Sequence, residues 1–334
     1  MTLRIHFTAE DLARTHLASG VRPLLELDIG IRLLQEQSHP VRFDAWRRRT
    51  APRLPPRLAP LFDFIPALGP SAHFLDLSRP EGPDDFVERL RSTPARHVAE
   101  DLERWSAHLR RVPPAARQLR QDGSLVPHLA EAVHTAHKLL VAPYWPRIEQ
   151  LAGADRALRL RQLAEHGVER LLSELNPRYI TWASPVLHLT TASARDGDIH
   201  LAGRGLLLVP TVFGAHYPAY DHPDDGQPWI TFPVKDSANA TTTPVATAHM
   251  LSEAPSSLRA LLGRTRATVL WAIAEHTGCT TTQLATHAGI SPASASEHAS
   301  VLRKAGLTVL ARNGKTARHA ISPSGRTLLN SAGI

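Results

Sequence analysis

Leu3 and Ile5 alternate with polar residues up to Phe7, a period-two pattern that predicts a short strand at the start of the chain. Thr8 follows, with Asp11 three residues on, and this approximate capping-box spacing predicts a helix start. Apolar residues then recur at intervals of three and four through Leu24, Leu27, Ile31 and Leu34, one helical stripe turned to a core. In the proline-dense stretch from Val41 to Pro83 the pattern predicts helices around Phe43–Arg49 and Leu54–Leu61. Three longer helical patterns occupy 84–112, 125–140 and 153–175; Pro113-Pro114 ends the first, and Pro143 and Pro146 interrupt the chain after the second.

The period changes after Arg178. Ser184–Thr191, Asp198–Leu201, Gly205–Pro210 and Trp229–Val234 have the length and alternation of strands, predicting a small, mostly antiparallel sheet appended to the helical part. Residues 221–226 and 236–248 have the composition of loops, and Pro255-Ser256-Ser257 marks a boundary near 250–258. Beyond it, Leu262, Val269, Leu270 and Ile273 predict a helix over 259–276. Thr280 and Gln283 frame the start of a second helix that ends before Gly289. Ser291-Pro292 offers an N-cap hydroxyl followed by proline at N1, the start of a third helix running to Lys304. Leu307–Arg312 and Ala317–Ile321 flank Asn313-Gly314, a strong hairpin signal. A helix, two short helices about a tight turn, and a basic hairpin together make a winged helix-turn-helix. The fold class expected is mainly α: a helical N-terminal domain, a small β-rich extension and a C-terminal winged helix-turn-helix domain.

Charge sharpens this division. The 334 residues carry a formal net charge of +7, and from Arg259 onward nine Lys and Arg face two acids, so the whole excess lies in the last 76 residues. A clustered basic excess of this kind suits a polyanion. One cysteine, Cys279, excludes an intramolecular disulfide framework or a multi-thiolate metal site. No leader pattern opens the chain and no apolar run approaches the length of a membrane span, so no membrane partner and a cytoplasmic location are expected. There is no GxGxxG and no GxxxxGK[ST], hence no dinucleotide or phosphate cradle, and no nucleophile elbow or HExxH. Asp101, Glu103 and the 221–225 cluster are carboxylates without a catalytic frame, and neither an enzyme nor a cofactor is expected. His134 and His137 share a helix face with His128 upstream, but the common fate of such pairs among 19 histidines is structural, and no metal site is expected. Arg47-Arg48-Arg49 is a solvated helix end on its simplest reading, with a phosphate or subunit contact as the alternative.

The stretch Thr282 to Ser291, continued by residues 294–307 and the wing 312–319, resembles the ArsR-type winged-helix transcriptional regulators. Members commonly show Ser-x-His-Leu-x-x-Leu before the Ala-Gly-Leu turn; Ser296 to Leu302 follows this with Ala299 in place of the first leucine. Gly203-Arg204-Gly205-Leu206 and Leu208-Val209-Pro210 extend the similarity to a long actinobacterial subgroup in which an uncharacterised helical domain precedes the winged helix. The resemblance implies three domains: a helical dimerisation and effector domain over 1–180, a β-rich extension and linker over 181–258, and the DNA-binding domain over 259–334. It implies a dimeric, sequence-specific regulator whose partners are double-stranded palindromic operator DNA and a second copy of the chain; it supplies no defined ligand, and repression modulated by a small organic effector is expected instead from the large N-terminal domain, whose role is effector sensing or partner binding. Trp105, Tyr144, Trp145, Tyr179 and Trp182 are candidate pocket aromatics for that effector, and ordinary core residues otherwise.

The third helix of a helix-turn-helix enters the major groove with its N-terminal residues toward base edges. Ser291, Ser294, Glu297 and His298 are its exposed candidates, since Ala295, Ala299 and Leu302 form a buried stripe. Glu297 is suited to accept from cytosine N4 and Ser294 to bond to either edge, while Ser296 and His298 are suited to phosphate. Arg303, Lys304, Arg312, Lys315 and Arg318 are candidate electrostatic contacts, with Lys315 at the wing tip. The competing expectation is a constitutive architectural or protein-interaction module carrying a winged-helix DNA anchor.

Overall fold

The computed structural model describes residues 2–36, 40–107, 109, 111–122, 125–177, 179–191, 196–214, 217–223, 226–234, 256–276, 278–313 and 316–331. Along the chain these form β1 (Thr2–His6), α1 (Ala9–Arg14), β2 (His16–Leu17), α2 (Pro23–Gln35), α3 (Pro40–Thr50), α4 (Ala59–Phe64), α5 (Pro83–Ser92), α6 (Ala95–Ser106), α7 (Pro114–Gln121), α8 (Leu125–Leu140) and α9 (Trp145–Glu174). Strands β3 (Ile180–Ala183), β4 (Val186–Thr190), β5 (Gly197–His200), β6 (Leu207–Thr211), β7 (Tyr220–Asp221) and β8 (Trp229–Pro233) follow. The chain ends in α10 (Ser256–Leu262), α11 (Arg264–Glu275), α12 (Thr281–Ala288), α13 (Pro292–Lys304), β9 (Thr308–Asn313), β10 (Thr316–Ile321) and α14 (Pro323–Ser331). The architecture is a mainly helical N-terminal region, a β-rich middle and a C-terminal helix and strand module.

Two compact units result. The first combines residues 1–35 with 53–237, the second residues 36–52 with 238–334.

In the first unit the strands form two four-stranded sheets, in the orders β3-β4-β1-β5 and β2-β6-β8-β7. The β-rich extension expected after Arg178 is present, but the small, mostly antiparallel sheet that was the other form of that expectation is not what forms. β1 runs antiparallel to β4 but parallel to β5, and β2, β6 and β8 are mutually parallel. The reason is that β1 and β2 come from the first seventeen residues and reach strands nearly 200 positions away, so hairpin logic does not set their direction. Leu3 and Ile5 lie opposite Leu189 and Leu187, and these residues share one core with Leu208, Ile230 and Phe232 of the second sheet and Leu171, Leu172 and Leu175 near the end of α9.

The expected helix over 84–112 is two, α5 and α6, separated at Thr93-Pro94, because proline lacks the amide that would continue the first. The helix expected over 153–175 begins earlier, at Trp145, and breaks at Gly167, where φ is +79°. Gly205, at φ +70°, sits so close to α1 that a Cβ there would lie 2.6 Å from the Arg14 carbonyl carbon. This contact gives the Gly-Arg-Gly-Leu segment a structural role. Gly205 N–H donates to Asp11, Leu206 N–H donates to Thr15 Oγ1, and the Arg204 guanidinium donates to the carbonyls of Pro223 and Gly226.

Candidate nucleic-acid interface

The second unit holds the helix-turn-helix. The helix expected over 259–276 is interrupted at Gly263 (φ +79°), which separates α10 from α11. Thr280 caps α12 with a full box: its hydroxyl accepts from Gln283 N–H at 3.3 Å, and the Gln283 side chain accepts from Thr280 N–H at 2.9 Å. Gly289 ends the helix in the left-handed conformation, φ +65°, which only glycine adopts without strain. Ile290 N–H then returns to Ala285 C=O, and Ser291 starts α13, its hydroxyl oxygen accepting from Ser294 N–H at 3.2 Å with Pro292 at N1.

Along α13, Ala295, Ala299 and Leu302 are buried in a core with Leu270, Ile273 and Leu284. At 100° per residue this stripe leaves Glu297 at the centre of the opposite, solvent-facing side, with Ser294 one turn before it and Val301 one turn after. Glu297 is exposed and Val301 is 40% exposed. Sequence reasoning missed Val301, because a valine four residues beyond Glu297 looks like a core position until the stripe is seen. Ser296 lies on a flank and is exposed; Ser294 and His298 are half-buried, and Arg303 and Lys304 are exposed in the last turn.

The wing pairs β9 with β10 in register from Thr308↔Ile321 to Asn313↔Thr316. Cys279 bridges to His319, with His319 N–H donating to Cys279 C=O at 2.8 Å and Gly278 N–H to His319 C=O at 2.7 Å, so the turn before α12 is laced to the wing. The His319 imidazole stands 3.0 Å from Thr281 Oγ1; burial, then the Arg303 charge, holds it below the ordinary histidine range. The Arg318 guanidinium donates to Gly278 C=O at 2.9 Å and fastens the same junction while its residue stays exposed. Lys315 and the Arg312 side chain lie outside the described residues. Thus Ser291, Ser294, Ser296, Glu297, His298, Arg303 and Lys304 come together on one helix, with Arg318 on the adjacent strand. Arg264 and Arg266 in the first turn of α11 are further exposed cations of this unit.

The remaining candidates have other surroundings. Cys279 is buried in the core of the second unit. Asp101 is buried and accepts from Phe74 N–H at 2.8 Å. Asp221 lies in β7, while Asp224 and Asp225 fall outside the described residues. His134 stands 3.4 Å from Asp84, and burial followed by the His134 charge lowers the His137 pKa. Among the described residues no three His, Cys, Asp or Glu are grouped to hold a metal ion. Trp105 is buried and donates to Pro70 C=O, and Tyr179 is buried as well; Trp182 packs edge-on against Phe7. No helix among the described residues is long and apolar enough to cross a membrane.

No curated protein and no solved structure matches the chain. Residues 262–319, from the end of α10 to the middle of β10, match the model of the MarR family. This overturns the ArsR-type assignment and the long subgroup attached to it. The residues that carried that resemblance are those any winged helix needs: caps at Thr280 and Ser291, a glycine turn at 289, a buried small-residue stripe and a hairpin. Ala299 was already a departure from the ArsR pattern. Residues 262–319 therefore match a MarR-type winged helix-turn-helix regulatory domain, a DNA-binding type, and not an ArsR-type one.

Proposed function

We propose that the protein is a cytoplasmic, homodimeric, sequence-specific repressor that presents two winged helices to a palindromic operator. In this reading residues 259–334 bind DNA, and the part before them supplies dimer contacts and a site for a small organic effector. The carrying observation is the row Ser294, Glu297 and Val301 on the outward side of α13, above a buried Ala295, Ala299 and Leu302 stripe. A carboxylate at the centre of a groove-facing helix is repelled by phosphate, so its place is opposite a base-edge donor such as cytosine N4; Val301 adds an apolar contact suited to a thymine methyl. Ser291 keeps its hydroxyl proton for phosphate while its oxygen caps the helix. Ser296, His298, Arg303, Lys304, Arg312, Lys315 and Arg318 supply positioning contacts to the backbone.

A dimer follows from the small footprint of one winged helix, since two copies about a twofold axis read two half-sites. The chain passes between the two units three times, at residues 35–36, 52–53 and 237–238, so an effector that favours one state of the first unit has covalent routes to the second. The test is selection of bound duplexes from a randomised pool by the purified full-length protein. A two-fold symmetric motif is expected, with Glu297→Ala losing about 1–3 kcal/mol of discrimination at one symmetric position. A pool without a motif, or an unchanged preference in Glu297→Ala, contradicts the reading.

A further inference from the structure

Helix α3 lies more than 200 residues before the winged helix in sequence, yet it folds as part of the same compact unit, packed against α11 and α14. Phe43 and Trp46 are 2% and 0% exposed and anchor it there. Its last turn carries Arg47, Arg48 and Arg49. Arg47 lies over the Phe43 ring, 6.0 Å from its centroid, whereas Arg48 and Arg49 are exposed. Neither has a hydrogen-bond or ion-pair partner among the described residues. α11, on which α3 packs, brings Arg264 and Arg266, equally exposed and likewise without a partner among the described residues.

The charge balance follows the spatial unit rather than the sequence segment. Residues 36–52 and 238–334 together hold thirteen Lys and Arg against five Asp and Glu, a net +8, which leaves the first unit at −1. A helix C-terminus favours a cation, so the last turn of α3 is a place where exposed guanidinium groups are held without cost. Exposed guanidinium groups on a helix anchored by Phe43 and Trp46 suit phosphate oxygens.

We propose that Arg48 and Arg49 of α3 bind the phosphate backbone of operator DNA outside the segment read by α13, so that the DNA-binding surface is discontinuous in sequence and extends beyond residues 262–319. This rests on the regulator reading above. Backbone contacts carry no base information, so removing them weakens binding to all sequences alike.

The experiment titrates the full-length protein with its selected duplex and with a scrambled duplex over a range of salt concentrations. Each phosphate contact contributes about 0.9 to the slope of log K against log salt. Arg48→Gln/Arg49→Gln is expected to make the slope shallower by about 1.8 for both duplexes, with the ratio between them and the melting temperature unchanged. Arg48→Lys/Arg49→Lys is expected to keep the slope. A wild-type slope in the Gln variant overturns the proposal. So does a wild-type slope accompanied by weaker self-association of the free protein, which assigns this turn to a subunit contact instead. If the wild-type chain binds neither duplex, the regulator reading falls and takes this one with it; if wild type binds and the Gln variant is indistinguishable, only the α3 contact falls.

Discussion

Asp11 shows how one side chain ties together parts of the chain that are far apart in sequence. It is fully buried, and its carboxylate accepts from Thr8 N–H at 2.9 Å, from the Thr8 hydroxyl at 2.6 Å and from Gly205 N–H at 3.1 Å. Burial alone raises its pKa; the Thr8 hydroxyl and the amides of Thr8, Gly205 and Gly203 outweigh it and hold the group below the ordinary 3.8. A depressed folded-state pKa contributes stability that is present above the unfolded value and lost as pH falls through the folded one. Asp11→Asn is therefore expected to lower unfolding free energy by about 1–3 kcal/mol at pH 7, where the charged acceptor is lost, and by progressively less below pH 3.8. Urea melts of both proteins at pH 7 and pH 3 check this; an equal loss at both values shows that the ionised form is not what the site selects. The Thr8 and Asp11 spacing was legible because a capping box is local. Gly205 as the second donor was not, since nothing in a four-residue window signals a partner 194 positions away.

The same contrast holds between elements. The starts and turns of α12 and α13 follow from Thr280, Gln283, Gly289, Ser291 and Pro292, each acting within five residues, so the helix-turn-helix could be drawn from sequence. The parallel pairing of β6 with β8 could not, because parallel register depends on crossover packing rather than on turn residues. Nor could the attachment of α14. Gly325 lies so close to the corner between α13 and β9 that a Cβ would stand 2.0 Å from Leu307 C=O, while its N–H donates to Ser322 Oγ. Because the obstruction is backbone, it cannot swing aside. Gly325→Ala is expected to destabilise the module by about 1–3 kcal/mol, through displacement of α14, measured as a lower midpoint in thermal or urea unfolding. A wild-type midpoint means that α14 can shift at no cost. The family resemblance failed for a related reason: caps, glycines and an apolar stripe specify a winged helix without specifying which family of them it belongs to.

For the whole molecule, charge and fold divide the chain along the same line. The basic excess was visible as a C-terminal property of the sequence; its extension to α3 appears only when Phe43 and Trp46 are seen buried in the second unit. The first unit, close to neutral and with its own core of two sheets and the end of α9, has no comparable reason to meet nucleic acid. In the proposed function the second unit recognises sequence, rather than merely attracting DNA by its charge. Parallel titration of the full-length protein with its best selected duplex and a scrambled duplex of equal length, at 50 and 200 mM salt, tests this most directly. Affinities are expected to fall with salt for both duplexes while the selected one stays at least about 10³-fold tighter at either concentration. Affinities that fall together and differ by less than about tenfold would contradict it, and would leave the winged helix as an electrostatic anchor alone.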